Sequence, residues 1–228
     1  MESCSSMTAS SSNKSNRNSA DQSTLTGLLI EAGRDFYARG WMLGTSGNLS
    51  ARLDSEPLLL AITASGAPKG ALTPNHILQI DELGNVTLGE GRPSDETRLH
   101  LTVVGVRQAG AVLHTHSVWS TLLSDAYADS GRLIIEGFEM LKGLSGVTTH
   151  EHSEAVPIIE NSQDMASLSV ALEDVLRKYP DAHAVLLRRH GLYTWGRDLP
   201  EARRHVEILE FLFEVIGRTH LAKAAVNQ

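Results

Sequence analysis

Two histidines separated by one residue, His114 and His116, follow the short apolar run 111–113. In a β-strand, residues i and i+2 point to the same side, so both imidazoles would face one pocket. Two neutral imidazoles on one rigid strand provide half of a site for zinc or another transition metal. A third histidine, His190, follows the strand-like apolar run 184–187. Three histidines with an open coordination position are typical of a catalytic metal centre.

A second His-x-His pair, His150 and His152, has the same spacing in a different setting. It lies in a polar stretch with no apolar run leading into it, which predicts a solvated loop. His114 and His116 instead end a strand that reads as buried, where functional side chains of open α/β sheets tend to gather. The setting therefore favours the first pair as metal ligands and the second pair as surface residues.

Three loops rich in glycine and hydroxyl side chains could bind an anion. They are 44–50 (GTSGNLS), 63–66 (TASG) and 92–97 (RPSDET). Glycine lets the backbone approach an anion closely, and amide and hydroxyl groups donate hydrogen bonds to it. The first loop lacks the spacing of a P-loop, and each loop alone is typical of an ordinary turn. Three such loops at strand or helix ends indicate one small anionic ligand, such as a phosphate monoester.

Three glutamates, Glu96, Glu136 and Glu139, lie in segments that could reach the same pocket. A carboxylate in a dry site beside a metal can act as a general base if its environment tunes its pKa. The pattern alone does not distinguish such a base from a solvent-facing acid, which is the simpler interpretation of each of them.

Composition narrows the class of protein. The 228 residues fit one domain with a sizeable core, and the net charge of -7 argues against a nucleic-acid surface. The only cysteine, Cys4, excludes a disulfide framework and a Cys-rich zinc site, and it fits a reducing compartment. No apolar run approaches the roughly 20 residues that span a bilayer, and the first residues lack the apolar core of a signal peptide. We therefore expect a cytoplasmic protein that binds neither nucleic acid nor membrane.

Apolar runs alternate with amphipathic stretches, which predicts a single α/β domain with helices flanking a central sheet. The Ser- and Asn-rich residues 1–23 are predicted to form a disordered tail. Strands are predicted at 58–62, 111–114, 132–135, 184–187 and 192–195. Helices are predicted at 25–36, 95–109, 117–127, 164–178 and 200–222. The pair Thr73-Pro74 is predicted to start a further helix.

Taken together, five ordered stretches resemble the class II aldolase/adducin family of metal-dependent sugar-phosphate enzymes. They are GTSGNLS at 44–50, TASG at 63–66, PSDE at 93–96, HTHS at 114–117 and RRHG at 188–191. The resemblance extends from Leu25 to Ala222 and implies one class II aldolase-like catalytic domain over 24–228. It also implies a three-layer α/β/α sandwich with a central mixed, largely antiparallel sheet. A homotetramer with sites near the subunit interfaces is the family's tendency.

The same resemblance implies roles for individual residues. One zinc ion per subunit would be held by His114, His116 and His190. The phosphate of a sugar-phosphate substrate would be bound by Gly47, Asn48, Ser65, Gly66 and Ser94. The aldolase pattern has a second serine where this chain has Asp95, and an acid beside a phosphate is unfavourable. Asp95 is therefore expected to turn away from the ligand.

Two carboxylates compete for the acid/base role. Glu96 occupies the position where the aldolases of the family keep their catalytic glutamate. The stretches GFEMLKG at 137–143, VPIIEN at 156–161 and VLLRRHGLYTWG at 185–196 are similar to a dehydratase branch, which implies Glu139 instead. The leading interpretation is a zinc lyase that dehydrates a 5-methylthio ketose phosphate in methionine salvage. The alternatives are a class II aldolase or epimerase acting on another small sugar phosphate, and a non-catalytic adducin-like interaction domain.

Overall fold

The structure, a computed structural model, describes residues 8–226, without the side chains of residues 8–21 and 224. Its nine strands are β1 Asn48–Ser55, β2 Leu58–Thr63, β3 Ile77–Ile80, β4 Val86–Leu88, β5 Ala111–Thr115, β6 Arg132–Glu136, β7 Ser153–Ile159, β8 Ala184–Leu187 and β9 Gly191–Gly196. Its α-helices are α1 Thr8–Ala38, α2 Thr97–Arg107, α3 Val118–Ala126, α4 Met165–Lys178 and α5 Leu199–Val226. Short 3-10 turns cover Lys69–Ala71, Pro74–His76, Ala128–Ser130 and Glu139–Gly143.

The strands form one sheet in the order β4-β3-β2-β1-β5-β9-β8-β7-β6. Strands β7 and β8 run parallel, and every other neighbouring pair is antiparallel. This confirms the expected mixed, largely antiparallel sheet. Strand β5 lies at the centre between β1 and β9, and all of its residues are buried. The site residues at its end are therefore held by strands on both sides.

Helices cover both faces of the sheet. On one face α2 packs against α4, and on the other α5 packs against α1 and α3. The two sides can be followed along β5. The ring of His114 stacks on Tyr193, which contacts His100 of α2, whereas Thr115 donates a hydrogen bond to Glu210 of α5. Successive side chains thus face opposite helical layers, as the pleat requires, and the three-layer sandwich is confirmed.

The predicted strands and the four later helices are present, with ends displaced by a few residues. The helix predicted from Thr73-Pro74 is wrong, because only the 3-10 turn Pro74–His76 forms before β3 begins at Ile77. Helix α1 begins at Thr8, inside the segment predicted to be a disordered tail. That prediction remains a prediction, and its residues 1–7 lie outside the described part of the chain. Within 8–226 no helix is long and apolar enough to cross a membrane.

Strands β1, β3, β4 and β7 were not predicted. In β1 the polar residues Asn48 and Ser50 are buried in the sheet, where a small polar loop was expected. Both of their side chains form hydrogen bonds to the buried His100. A polar strand can be buried when its polar groups find partners, and the hydropathy pattern does not reveal those partners.

Candidate metal centre and substrate cleft

Four side chains converge beyond the end of β5: Glu96, His114, His116 and His190. Their ligand atoms all lie within 4.8 Å of one another. The Nε2 atoms of His114 and His116 are 2.7 Å apart, and those of His116 and His190 are 3.1 Å apart. Oε1 of Glu96 lies 3.2 Å from Nε2 of His190 and 3.5 Å from Nε2 of His114. The structure therefore brings together the three histidines and one of the glutamates singled out from the sequence.

Close backbone approach beside β5 makes this convergence possible. A Cβ atom on Gly191 would lie 2.1 Å from the carbonyl oxygen of Thr115, so only glycine fits where β9 passes β5. On the other side, a Cβ atom on Gly47 would lie 2.6 Å from the carbonyl oxygen of His114. Gly47 also has a φ of +70°, a left-handed conformation that residues other than glycine rarely adopt. The two glycines let the flanking segments close around the histidines.

The hydrogen bonds of the imidazoles fix which nitrogen faces the cluster. Nδ1–H of His114 donates to the carbonyl of Leu192 at 2.9 Å, and Nδ1–H of His190 donates to Oδ1 of Asn161 at 3.1 Å. A neutral imidazole that donates from Nδ1 carries its lone pair on Nε2. The Nε2 lone pairs of His114 and His190 are therefore available to a cation within the cluster. Such orientation by outer hydrogen bonds is characteristic of metal-ligating histidines.

The donor set suits a divalent transition metal. Three imidazole nitrogens and a carboxylate oxygen are ligands that zinc accepts, and three imidazoles alone suit several related ions. Burial, reinforced by the neighbouring histidines, lowers the pKa of His116 to about 3, so this imidazole is neutral, the form that binds a metal. The cluster fits a metal ion by its chemistry as well as by its spacing.

Glu96 is held in its ionised form. Burial alone would raise its pKa, but the proximity of His114 and His190 outweighs burial and brings the pKa well below its usual range. Nδ2 of Asn48 also donates to Oε2 of Glu96 at 2.7 Å. The carboxylate is therefore oriented on one oxygen by an amide, while its other oxygen faces the histidines.

A buried hydrogen-bonded chain extends behind Glu96, and sequence analysis missed its key member, His100. Ser50 donates to Nδ1 of His100 at 2.7 Å, and Nε2–H of His100 donates to Oδ1 of Asn48. Burial lowers the pKa of His100 to about 3, which keeps the ring neutral. A neutral imidazole can accept a hydrogen bond at one nitrogen and donate one from the other. The available signal was its spacing, since residues i and i+4 share a helix face and His100 follows Glu96 by four.

A cleft of about 580 Å³ opens beside the cluster and is lined by Ser94, Glu96, Asn161 and His190. Asp95 is exposed and also lines the cleft. Oγ of Ser94 accepts a hydrogen bond from the backbone N–H of Glu96 at 3.3 Å. One of the five residues expected to bind phosphate thus faces the same cleft as the metal cluster.

The other expected phosphate residues lie on the neighbouring loops. Gly47 directly precedes β1, whose first residue is Asn48, and the side chain of Asn48 is engaged with Glu96 and His100. Ser65 and Gly66 follow β2 and are exposed. The backbone N–H of Ser65 donates to the carbonyl of Arg92 at 2.8 Å, which ties the second loop to the third.

Glu139 lies elsewhere, on the 3-10 turn Glu139–Gly143. Its side chain is 72% exposed and accepts a hydrogen bond from Nζ of Lys142 at 2.6 Å. Nδ1 of His150 lies 3.9 Å from its other oxygen. The hydrogen bond and charge of Lys142 lower the pKa of Glu139. In the described part of the chain, Glu139 is not among the residues of the metal cluster.

Comparison with known proteins agrees with this fold. The sequence profile of the class II aldolase and adducin N-terminal domain matches residues 27–216, and the chain belongs to this family. A solved structure of L-fuculose 1-phosphate aldolase is 27% identical, with a TM-score of 0.72 over 89% of this chain and 87% of that one.

Closer sequence relatives carry a more particular name. Methylthioribulose-1-phosphate dehydratase of Pseudomonas syringae pv. syringae (strain B728a) is 46% identical over 82% of this chain and 90% of its own length. The enzyme of the same name from Methylococcus capsulatus (Bath) is 44% identical over 86% of this chain and 94% of its own length.

Proposed function

We propose that this protein is a zinc-dependent hydro-lyase that dehydrates 5-methylthioribulose 1-phosphate to 5-methylthio-2,3-dioxopentyl phosphate in methionine salvage. The observation that carries the proposal is the convergence of three Nε2 atoms and Oε1 of Glu96 at the wall of a cleft that also presents Ser94. Relatives named methylthioribulose-1-phosphate dehydratase, 42–46% identical over more than four fifths of the chain, support this substrate.

His114, His116 and His190 would hold one zinc ion per subunit. Bound there, zinc would supply Lewis acidity to the oxygens of the ketose. The chain's own groups orient these ligands, since Leu192 and Asn161 accept the Nδ1 protons of two of them. The phosphate would be bound by the loops that contain Gly47, Asn48, Ser65, Gly66 and Ser94.

The dehydration requires one proton removed and one supplied. A carboxylate takes the proton from C3, the C3–C4 double bond forms, and the C4–O bond breaks as an acid protonates the leaving hydroxyl to water. The resulting enol becomes the 2,3-diketone when C4 takes up a proton and the C3 hydroxyl loses one. A carboxylate in a water-excluded site can carry out each proton transfer if it reaches the atom concerned.

Two carboxylates are candidates for these transfers. Glu96 is ionised within the cluster and is therefore in the form that accepts a proton. Glu139 is exposed on its own subunit, so its role as the dehydratase acid/base requires it to enter the cleft of another copy in the expected homotetramer. We propose that Glu96 and Glu139 of the partner subunit act together.

Mixed oligomers test this arrangement. Glu139→Gln and His116→Ala variants should each be inactive alone, the first lacking the acid/base and the second lacking a metal ligand. After the two are unfolded and refolded together, about one quarter of the sites should combine an intact cluster with an intact Glu139. Recovery of activity would support a site shared between subunits. Absence of recovery, from mixtures that do form mixed oligomers, would remove Glu139 of the partner subunit from the mechanism.

Product analysis tests the function as a whole. The purified full chain is incubated with 5-methylthioribulose 1-phosphate, and we expect the 2,3-diketone. Release of a phosphorylated three-carbon fragment would instead show cleavage of C3–C4 and a class II aldolase, which the position of Glu96 and the likeness to L-fuculose 1-phosphate aldolase favour as the second candidate. No reaction, together with no bound metal, would support an adducin-like interaction domain.

A further inference from the structure

A buried lysine that the proposed mechanism does not use joins two of the loops expected to bind phosphate. Lys69 begins the 3-10 turn Lys69–Ala71 and is 1% exposed. Its Nζ donates to the carbonyl of Thr45 at 3.0 Å and to the carbonyl of Ala67 at 3.0 Å. Thr45 belongs to loop 44–50 and Ala67 directly follows loop 63–66. One side chain thus holds both loops.

This lysine keeps its positive charge inside the protein. Burial lowers its pKa to about 8, against the opposing effect of Glu96, so the ammonium stays protonated near neutral pH. The positive charge of Lys69 also lowers the pKa of His116 in the metal cluster. Among the described residues, Nζ donates to two neutral carbonyls, whereas an ammonium has three N–H bonds. One N–H bond of the ammonium therefore remains available to a ligand.

We propose that Lys69 is a phosphate-binding residue, which fixes loops 44–50 and 63–66 and presents its charge to the phosphate of the substrate. The glycine and hydroxyl groups of the loops are neutral donors. A phosphate monoester carries close to two negative charges and must approach Glu96 and Asp95 in a chain of net charge -7. A buried cation offsets this repulsion and is screened less by salt than a surface lysine.

Arg98 is the rival cation. It is exposed, lines the same cleft as Ser94 and His190, and its charge acts on Asp164. Exposure to solvent makes Arg98 a weaker partner for phosphate than the buried Lys69. Comparing variants of the two residues separates the two possibilities.

Calorimetric titration of inorganic phosphate into the full chain tests the proposal. Lys69→Met and Lys69→Gln should each weaken phosphate binding roughly tenfold or more. Lys69→Gln keeps N–H donors for the loop carbonyls, so its loss reports the charge even if Lys69→Met is unfolded. Lys69→Arg should recover part of the affinity, while Lys178→Met, which removes an exposed lysine, should change nothing. Wild-type affinity in Lys69→Gln, or a loss confined to Arg98→Met, would overturn the proposal.

Steady-state kinetics provide a second reading. The inference rests on the proposed function, because it takes the substrate to be a phosphate ester. Lys69→Gln should then raise KM with little change in kcat. A fall in kcat at unchanged KM would contradict a binding role. Phosphate binding that depends on Lys69 in a chain that yields no diketone would uphold Lys69 and refute the proposed reaction. The two failures are therefore distinguishable.

Discussion

Two clusters in this molecule each join a carboxylate to two histidines, and each includes a member of a His-x-His pair. In the first, Glu96 lies beside His114 and His190. In the second, Oε2 of Glu154 accepts hydrogen bonds from Nε2 of His152 at 2.9 Å and Nδ1 of His183 at 3.0 Å. The first cluster also contains His116. Both clusters thus combine histidines with one carboxylate, but their chemistry is opposite.

The two clusters differ in what their imidazole nitrogens do. In the second cluster they donate hydrogen bonds, whereas in the first the Nε2 lone pairs are available to a metal. His183 donates from Nδ1 to Glu154 and from Nε2 to the carbonyl of Ser145 at 2.8 Å. An imidazole that donates from both nitrogens is protonated and has no lone pair for a metal. Although burial opposes it, Glu154 raises the pKa of His183. This cluster is a buried ion pair that ties β7 to the residue directly before β8, whereas the first cluster is suited to bind a cation.

The strongest test of this contrast is a matched pair of substitutions, Glu96→Gln and Glu154→Gln. If Glu96 transfers protons, its amide variant should lower kcat by roughly 10²- to 10⁴-fold with the fold intact. Glu154→Gln should keep its activity per folded molecule. Steady-state kinetics with circular dichroism as a folding check measures both. Equal activity of the two variants would end the distinction between the clusters.

Stability should respond in the opposite sense. Glu154 is 1% exposed, so Glu154→Gln leaves the charge of His183 without its partner. Removing one partner of a buried ion pair should lower the free energy of unfolding by about 3 kcal/mol. Urea denaturation measures this loss. If Glu96→Gln is the more destabilised variant, the second cluster is not the structural one.

The free energy of unfolding should depend on pH through Glu210, which contacts Thr115 between His114 and His116. This buried carboxyl accepts from Thr115, and burial raises its pKa from 4.5 to about 7. A raised pKa means that the folded state binds the proton more tightly than the unfolded state does. The stabilisation is therefore present below pH 4.5 and is lost as the pH rises through 7, by up to about 3 kcal/mol.

Unfolding free energies measured between pH 4.5 and 8 test this effect. The reference is Glu210→Gln, which cannot ionise and keeps the other titrating groups, so the difference between the two proteins isolates Glu210. A difference that stays constant across this range would show that Glu210 is not protonated in the folded state.

The smallest effect is expected at His150. Its side chain is 57% exposed and lies 3.9 Å from the exposed Glu139. His150→Ala should change the free energy of unfolding by less than about 0.5 kcal/mol. Its bound metal should equal that of wild type. Loss of metal in this variant would show that the second His-x-His pair reaches the metal centre.

The sequence predicted the structure best where an apolar run could only be a buried strand. The apolar run at 111–113 with its two histidines predicted β5, and the run at 184–187 predicted β8 and placed His190 at the turn that follows. The runs at 184–187 and 192–195 correspond to β8 and β9, which pair as an antiparallel hairpin.

Prediction failed where a polar residue is buried against a partner distant in sequence. His100, Lys69 and Glu154 are all buried, and each forms at least one hydrogen bond with a residue that is distant in sequence. A hydropathy pattern assigns such residues to the surface because it records composition and not partners. His152 was expected in a solvated loop for the same reason, and it is half-buried against Glu154.

Metal analysis of His116→Ala and His152→Ala tests the central claim most directly. Both variants remove one histidine from a His-x-His pair that contacts a carboxylate cluster. Elemental analysis of the purified full-length proteins, after dialysis against the same buffer, should find about one zinc per chain in wild type and in His152→Ala, and almost none in His116→Ala. Full zinc in His116→Ala, or its loss in His152→Ala, would contradict the assignment of the metal centre to His114, His116 and His190.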